Sequence, residues 1–119
     1  APRRIRKRTN TLETADGALL LTNIGAAKRS SQNLDGALEA YLEARRIHSL
    51  IGTLESPDGA LLLNNIGATM IDMAEPEPEG ALEVYAEARR IRERLRVLQT
   101  LEGANLLMNI GIATRAIGD

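Results

Sequence analysis

Catalysis and metal binding need convergent side chains, and few residues of this 119-residue chain qualify. His48 is the only histidine, and with no cysteine present, thiolate metal sites, disulfides and cysteine nucleophiles are excluded. No recurrent carboxylate pair accompanies His48, which is expected to be a solvated residue near a helix end. The glycines occur singly, without the strand, glycine-rich turn and helix that a phosphate-binding loop requires. No catalytic residue, metal site or cofactor is therefore expected.

Arginine sets are the next candidates: "RRIRKR" at 3–8, "ARRI" at 44–47 and "ARRIRERLR" at 88–96. A basic stripe of this kind binds nucleic acid when base-reading or stacking side chains accompany it. The only aromatics are Tyr41 and Tyr85, the net charge is −1, and Glu39, Glu43, Glu83 and Glu87 stand within a turn or two of the arginines. Nucleic-acid binding is disfavoured, and solvated ion pairs are expected. The acidic, proline-bearing "EPEPEG" at 75–80 ends one helix and starts the next.

Asparagine amides offer a different chemistry, because each both donates and accepts a hydrogen bond. Asn23, Asn65 and Asn109 each stand two residues before a glycine, Gly25, Gly67 and Gly111, inside apolar stretches of related sequence: "DGALLLTNIG", "DGALLLNNIG" and "EGANLLMNIG". Glycine costs a helix interior about 1 kcal/mol relative to alanine, so its recurrence there implies a packing reason.

The elements that position these residues repeat. Asn23 and Gly25 recur 42 residues on as Asn65 and Gly67, and those recur after a further 44 as Asn109 and Gly111. Arg45, Arg46 and Ile47 recur as Arg89, Arg90 and Ile91, and match Arg3, Arg4 and Ile5 upstream; His48 matches Arg92. The two extra residues fall in the loop where "AEPEPEG" replaces "SQNLDG". Thr14, Ser56 and Thr100 are expected N-caps of one helix type, A, each followed by an acid in the first turn; Asn33 and Glu77 open the other type, B. Helices are expected near 15–29, 34–50, 57–73, 78–97 and 101–116, preceded at 2–9 by the tail of another B helix. Of the 15 basic residues, 12 fall in closing turns of B segments, where cations complement the helix dipole. No apolar run approaches the ~18–20 residues of a membrane span, and the arginine-rich start is no secretory signal, so no membrane role is expected.

The A segments, Leu21-x2-Ile24-Gly25, Leu63-x2-Ile66-Gly67 and Leu107-x2-Ile110-Gly111, with the B segments Ala37-x3-Tyr41-x2-Ala44 and Ala81-x3-Tyr85-x2-Ala88, resemble the tetratricopeptide repeat family over almost the whole chain. Gly25 and Ala37 are 12 apart, the family's spacing; Gly67 and Ala81 are 14 apart because of the loop insertion. The family's first aromatic is leucine here, its last is Lys28, Met70 or Thr114, and the period is 42 rather than about 34. These departures resemble the longer-helix subclass typified by kinesin light chain.

The resemblance implies an all-α, right-handed α-solenoid of antiparallel helix pairs, about two and a half repeats long. Its parts are 1–10, the end of a preceding B helix; 11–52, repeat 1; 53–97, repeat 2; and 98–119, helix A of repeat 3. Gly25, Gly67 and Gly111 are then packing notches that let Ala37 and Ala81 of helix B approach, and Tyr41 and Tyr85 are buried. The asparagines share a stripe with Leu19, Ala26 and Ser30, with Leu61, Ala68 and Asp72, and with Asn105, Ile112 and Ala116. In the family this stripe lines a concave groove that holds an extended peptide by its main chain. Thr22, Asn64, Arg29 and Arg115 would flank it and supply selectivity. The alternative is that each asparagine only bridges to the adjacent repeat's helix.

Two functions follow: a non-enzymatic scaffold or adaptor that binds a protein or peptide partner in that groove, or a structural, self-assembling module without a ligand. The chain starts at Ala1 without methionine, which suggests a piece of something longer, and it lacks caps with polar outer faces. Its start could therefore complement another copy's end in a head-to-tail homo-oligomer. The absence of cysteine leans towards the cytoplasm.

Overall fold

A computed structural model describes residues 13–95 and 101–118. Every regular element in them is helical: α1 (Ala15–Ser30), α2 (Leu34–Ile51), α3 (Pro57–Asp72), α4 (Pro78–Leu95) and α5 (Leu101–Gly118). The expected boundaries agree to within two residues, apart from the expected end at 97, which lies outside the described residues. The helix tail at 2–9, the ion-pair candidates within it and the cap at Thr100 lie outside the described residues.

The helix starts follow from local chemistry. Thr14 Oγ1 accepts from Gly17 N at 3.0 Å, Asn33 Oδ1 from Gly36 N at 3.0 Å and Ser56 Oγ from Gly59 N at 3.1 Å. Each thereby satisfies one amide that the first helical turn leaves without a partner. Pro57 and Pro78 occupy first helical positions, where a missing N–H costs nothing. Helix α2 ends on Gly52 at φ 78°, a left-handed cap that glycine adopts without penalty. In the α1–α2 turn that conformation falls instead on Gln32 (φ 67°), between amides of Gln32 and Asn33 that return to Arg29 O and Lys28 O.

The chain divides into two compact units, Ala1–Leu54 and Glu55–Asp119. In the first, α1 packs on α2; in the second, α4 packs on α3 and on α5, and α5 also touches α3. Each B helix buries one stripe spaced at about one turn: Ala37, Tyr41, Ala44 and Ile47 in α2, and Ala81, Tyr85, Ala88 and Ile91 in α4. The facing residues include Ala18 and Gly25 on α1, and Ala60, Leu63, Ile66 and Gly67 on α3.

What fills the glycine notches differs from expectation. A β-carbon on Gly25 would stand 2.6 Å from Cε1 of Tyr41, and one on Gly67 would stand 2.7 Å from Cδ1 of Tyr85, closer than real carbon contacts allow. The atoms nearest each notch are those of the tyrosine ring. The alanines flanking each tyrosine let the helices close until the ring lies on bare backbone. Gly111 does not repeat this packing, since no atom stands within 4 Å of where its β-carbon would lie.

Gly67→Ala should therefore lower stability by about 1–3 kcal/mol through overpacking, despite alanine's better helix propensity. Thermal unfolding followed by circular dichroism checks this; an unchanged or raised midpoint would show that the Tyr85 ring can move aside at no cost.

Candidate functional site

In the first unit the asparagine stripe lies open on α1, with Leu19, Asn23, Ala26 and Ser30 all exposed. In the second unit Leu61 and Asp72 are exposed and Asn65 and Ala68 half-buried on α3, while on α5 Asn105, Ile112 and Ala116 are exposed and Asn109 half-buried. Position within the repeat thus puts Asn23 and Asn65 where a ligand can reach them.

Asn109 is already engaged. Its Nδ2 donates to Oδ1 of Asn64 at 2.9 Å, joining α5 to α3. Asn64, expected to flank a groove, is buried at 7% exposure, so its carbonyl needs this partner: an unpaired buried amide costs roughly 1–3 kcal/mol. One pair in the second unit therefore has the geometry of the inter-helix bridge.

The other flanking residues divide similarly. Thr22, half-buried, turns its hydroxyl back to Ala18 O at 2.8 Å, a bond within its own helix. Arg29 is half-buried and close enough for its charge to act on Tyr41, whose phenol is held above its ordinary range by burial, with Arg29 opposing the rise. Arg115 is exposed on α5. Of the packing residues, Gly25, Gly67, Ala37, Ala81, Tyr41 and Tyr85 are buried, and Gly111 is exposed.

His48 corrects an expectation. It is buried, not solvated, with Nδ1 2.8 Å from Thr53 Oγ1. The left-handed Gly52 folds the chain back so that Thr53 reaches the ring, and Thr53 N also donates to His48 O at 2.8 Å. Its counterpart Arg92 is buried too, and the burial lowers its pKa while Glu102 on α5 works to raise it. Both lie on the inner side of a B helix, the side marked by Tyr41–Ile47 and Tyr85–Ile91. That register was available from the repeat, but the polarity of His and Arg concealed it.

The outer arginines pair with carboxylates. Arg46 forks onto Glu43 at 2.9 and 2.7 Å, with Glu13 3.8 Å away. Arg90 Nη2 donates to Glu55 at 3.0 Å, Arg94 shares the same carboxylate, and Arg89 faces Glu93 at 3.5 Å. Arg46, Arg89 and Arg90 stand before the last turns of α2 and α4, and neighbouring acids, rather than the helix dipole, are their partners. Exposed pairs contribute little to stability and weaken in salt. An open hollow of about 470 Å³ beside Leu21, Ala40 and Leu42 is edged by Glu39, Glu43 and Arg46. Among the described residues no cluster of His, Cys, Asp or Glu could hold a metal ion, and no helix is long and apolar enough to cross a membrane.

No protein-family model matches this chain, and no curated protein matches it significantly.

Two outcomes follow from this geometry. Asn64→Ala and Asn109→Ala should each lower stability by about 1 kcal/mol and combine less than additively, which a double-mutant cycle in urea would reveal; full additivity would deny the bridge. Hydrogen bonds from Arg46 and Arg90 hold the Glu43 and Glu55 carboxyls below their ordinary 4.5. Their stabilisation is present above that value and is lost as pH falls through the lower folded-state values. Glu55→Gln should flatten the fall of the thermal midpoint below pH 4.5, and an acid limb as steep as the parent's would contradict the assignment.

Proposed function

We propose that the chain is a non-enzymatic interaction module of tetratricopeptide type, whose A helices present amides to the main chain of an extended partner peptide. The α-solenoid that such helix pairs build is part of the same proposal. The observation that supports it most directly is the accessibility of Asn23 and Asn65 at one repeat position, on a stripe otherwise made of small, apolar or short polar side chains. An extended peptide leaves N–H and C=O groups unpaired along its length, and carboxamides answer both whatever the peptide's side chains are. Exposed Leu19 on the helix of Asn23, and Leu61 on that of Asn65, add apolar contact within each unit. Asn109 serves as a bridge to Asn64 in this reading, so the peptide-contacting amides narrow to Asn23 in the first unit and Asn65 in the second.

Selection from a displayed random-peptide library on the full chain tests it. Selected peptides should bind the parent and lose at least tenfold in affinity to the Asn23→Ala, Asn65→Ala double variant, while its far-ultraviolet circular dichroism stays unchanged. Failure to enrich any peptide, or equal affinity for the double variant, would overturn the reading.

A further inference from the structure

In the second unit the amide stripe carries a charge pattern that main-chain recognition does not require. Asp58, Asn65 and Asp72 follow one another at intervals of seven residues on α3, so both acids share the face of the amide. Each lies two turns from it, about 10 Å along the helix. Both acids are exposed, as is Glu102, which stands seven residues before Asn109 on α5. Met70, near the end of α3, lies against Gly80, near the start of α4, and Arg92, near the end of α4, feels Glu102 in the first turn of α5. Helices α3 and α5 therefore run the same way, with Asp58 and Glu102 at one end of the stripe, Asp72 at the other, and the Asn64–Asn109 bond between them.

The helix dipole accounts for an acid in a first turn. It disfavours one in a last turn, where Asp72 stands and α3 has no base. The rest of the stripe is uncharged: Leu61, Asn65 and Ala68 on α3, and Asn105, Asn109 and Ile112 on α5. Arg115 lies further round α5 from Asn109 than Ile112 does, on the flank away from α3. Nor is this the face that a neighbouring helix of the array covers, because Leu61 keeps 38% exposure with α5 packed on α3.

We propose that the peptide taken by the second unit is basic, with a run of about three lysines or arginines where it crosses Asn65; this rests on the peptide-binding reading above. An extended strand that crosses α3 edge-on gives N–H and C=O groups to the carboxamide and sends successive side chains alternately towards the two ends of the helix. One basic side chain then points to Asp58 and the next to Asp72, and a lysine and an aspartate together span the gap. The third, about 7 Å further along the strand, points the same way as the first and meets Glu102. The acids thus favour cations at adjacent ligand positions on both sides of the strand, while the amide leaves the backbone sequence-independent.

Three mixtures of fluorescein-labelled nonapeptides, titrated into the full chain by fluorescence anisotropy, test the proposal. Each has randomised uncharged flanks around a fixed centre of three lysines, three glutamines or three glutamates. The lysine mixture should bind about tenfold more tightly than the glutamine mixture, the combined worth of two or three exposed ion pairs, and should lose that margin in high salt. The glutamate mixture should bind most weakly. A variant carrying Asp58→Asn, Asp72→Asn and Glu102→Gln should bind the lysine and glutamine mixtures alike, and Asn65→Ala should weaken both while keeping their ratio. The comparison between peptides needs no altered protein, so it stands even where a variant fails to fold. Equal binding of the lysine and glutamine mixtures to the parent, both weakened by Asn65→Ala, would overturn the charge assignment and leave the amide reading intact. A lysine preference that persists in the triple variant would put the basic ligand elsewhere and overturn it too. Lysine binding indifferent to Asn65→Ala, or no binding of any mixture at millimolar peptide, would overturn the amide reading and this inference with it.

Discussion

The contact between a tyrosine ring and a bare stretch of helix backbone sets the geometry of both units. Placing glycine in mid-helix costs about 1 kcal/mol against alanine. Removing some 150–250 Å² of tyrosine surface from water is worth on the order of 4–6 kcal/mol as an upper bound. The second term wins, and it wins only at close helix separation. The alanines on either side of Tyr41 and Tyr85 are buried for that reason: a larger side chain at Ala37, Ala44, Ala81 or Ala88 would prop the helices apart and lift the ring off its glycine. A composition poor in aromatics is thus compatible with a well-defined core, because each tyrosine is used at the point of closest approach.

Around this common frame, the polar residues at equivalent positions have diverged. Thr22 bonds to its own helix, Asn64 holds Asn109 across to the next A helix, and Met108 at the same register is exposed. His48 closes a turn through Thr53, whereas Arg92 carries a guanidinium into a similar buried position and feels Glu102 instead. Apolar and small residues keep the fold while these sites vary. The exposed Arg–Glu pairs add solubility and a modest acid-side dependence more than rigidity.

Much of the fold was legible in the sequence because it repeats. Caps at Thr14, Asn33 and Ser56, prolines at helix starts and the Ala-x3-Tyr-x2-Ala stripe each have a local cause, and local causes survive in a single chain. The partner of each glycine was less legible: register placed Ala37 and Ala81 opposite Gly25 and Gly67, but which atom fills a notch depends on how side chains lean once the helices close. The burial of His48 and Arg92 was not legible, because polarity argues for solvent unless a turn brings back an acceptor or a neighbouring helix covers the side chain. Asn109 fell between two readings for a related reason, since an amide on a helix face bonds a ligand or a neighbour with equal ease, and only the position of Asn64 decides.

The same contact distinguishes the A helices from one another. Where the ring is present, as on α1 and α3, the neighbouring amides at Asn23 and Asn65 are left to face outward; where it is absent, as on α5, the notch stays open. The most direct measurement is a nuclear Overhauser spectrum of the isotopically labelled chain. Strong cross-peaks are predicted from the α-protons of Gly25 to the ring of Tyr41 and from those of Gly67 to the ring of Tyr85, with none from Gly111 to either tyrosine. Absence of the first two, or a ring contact at Gly111, would contradict the account.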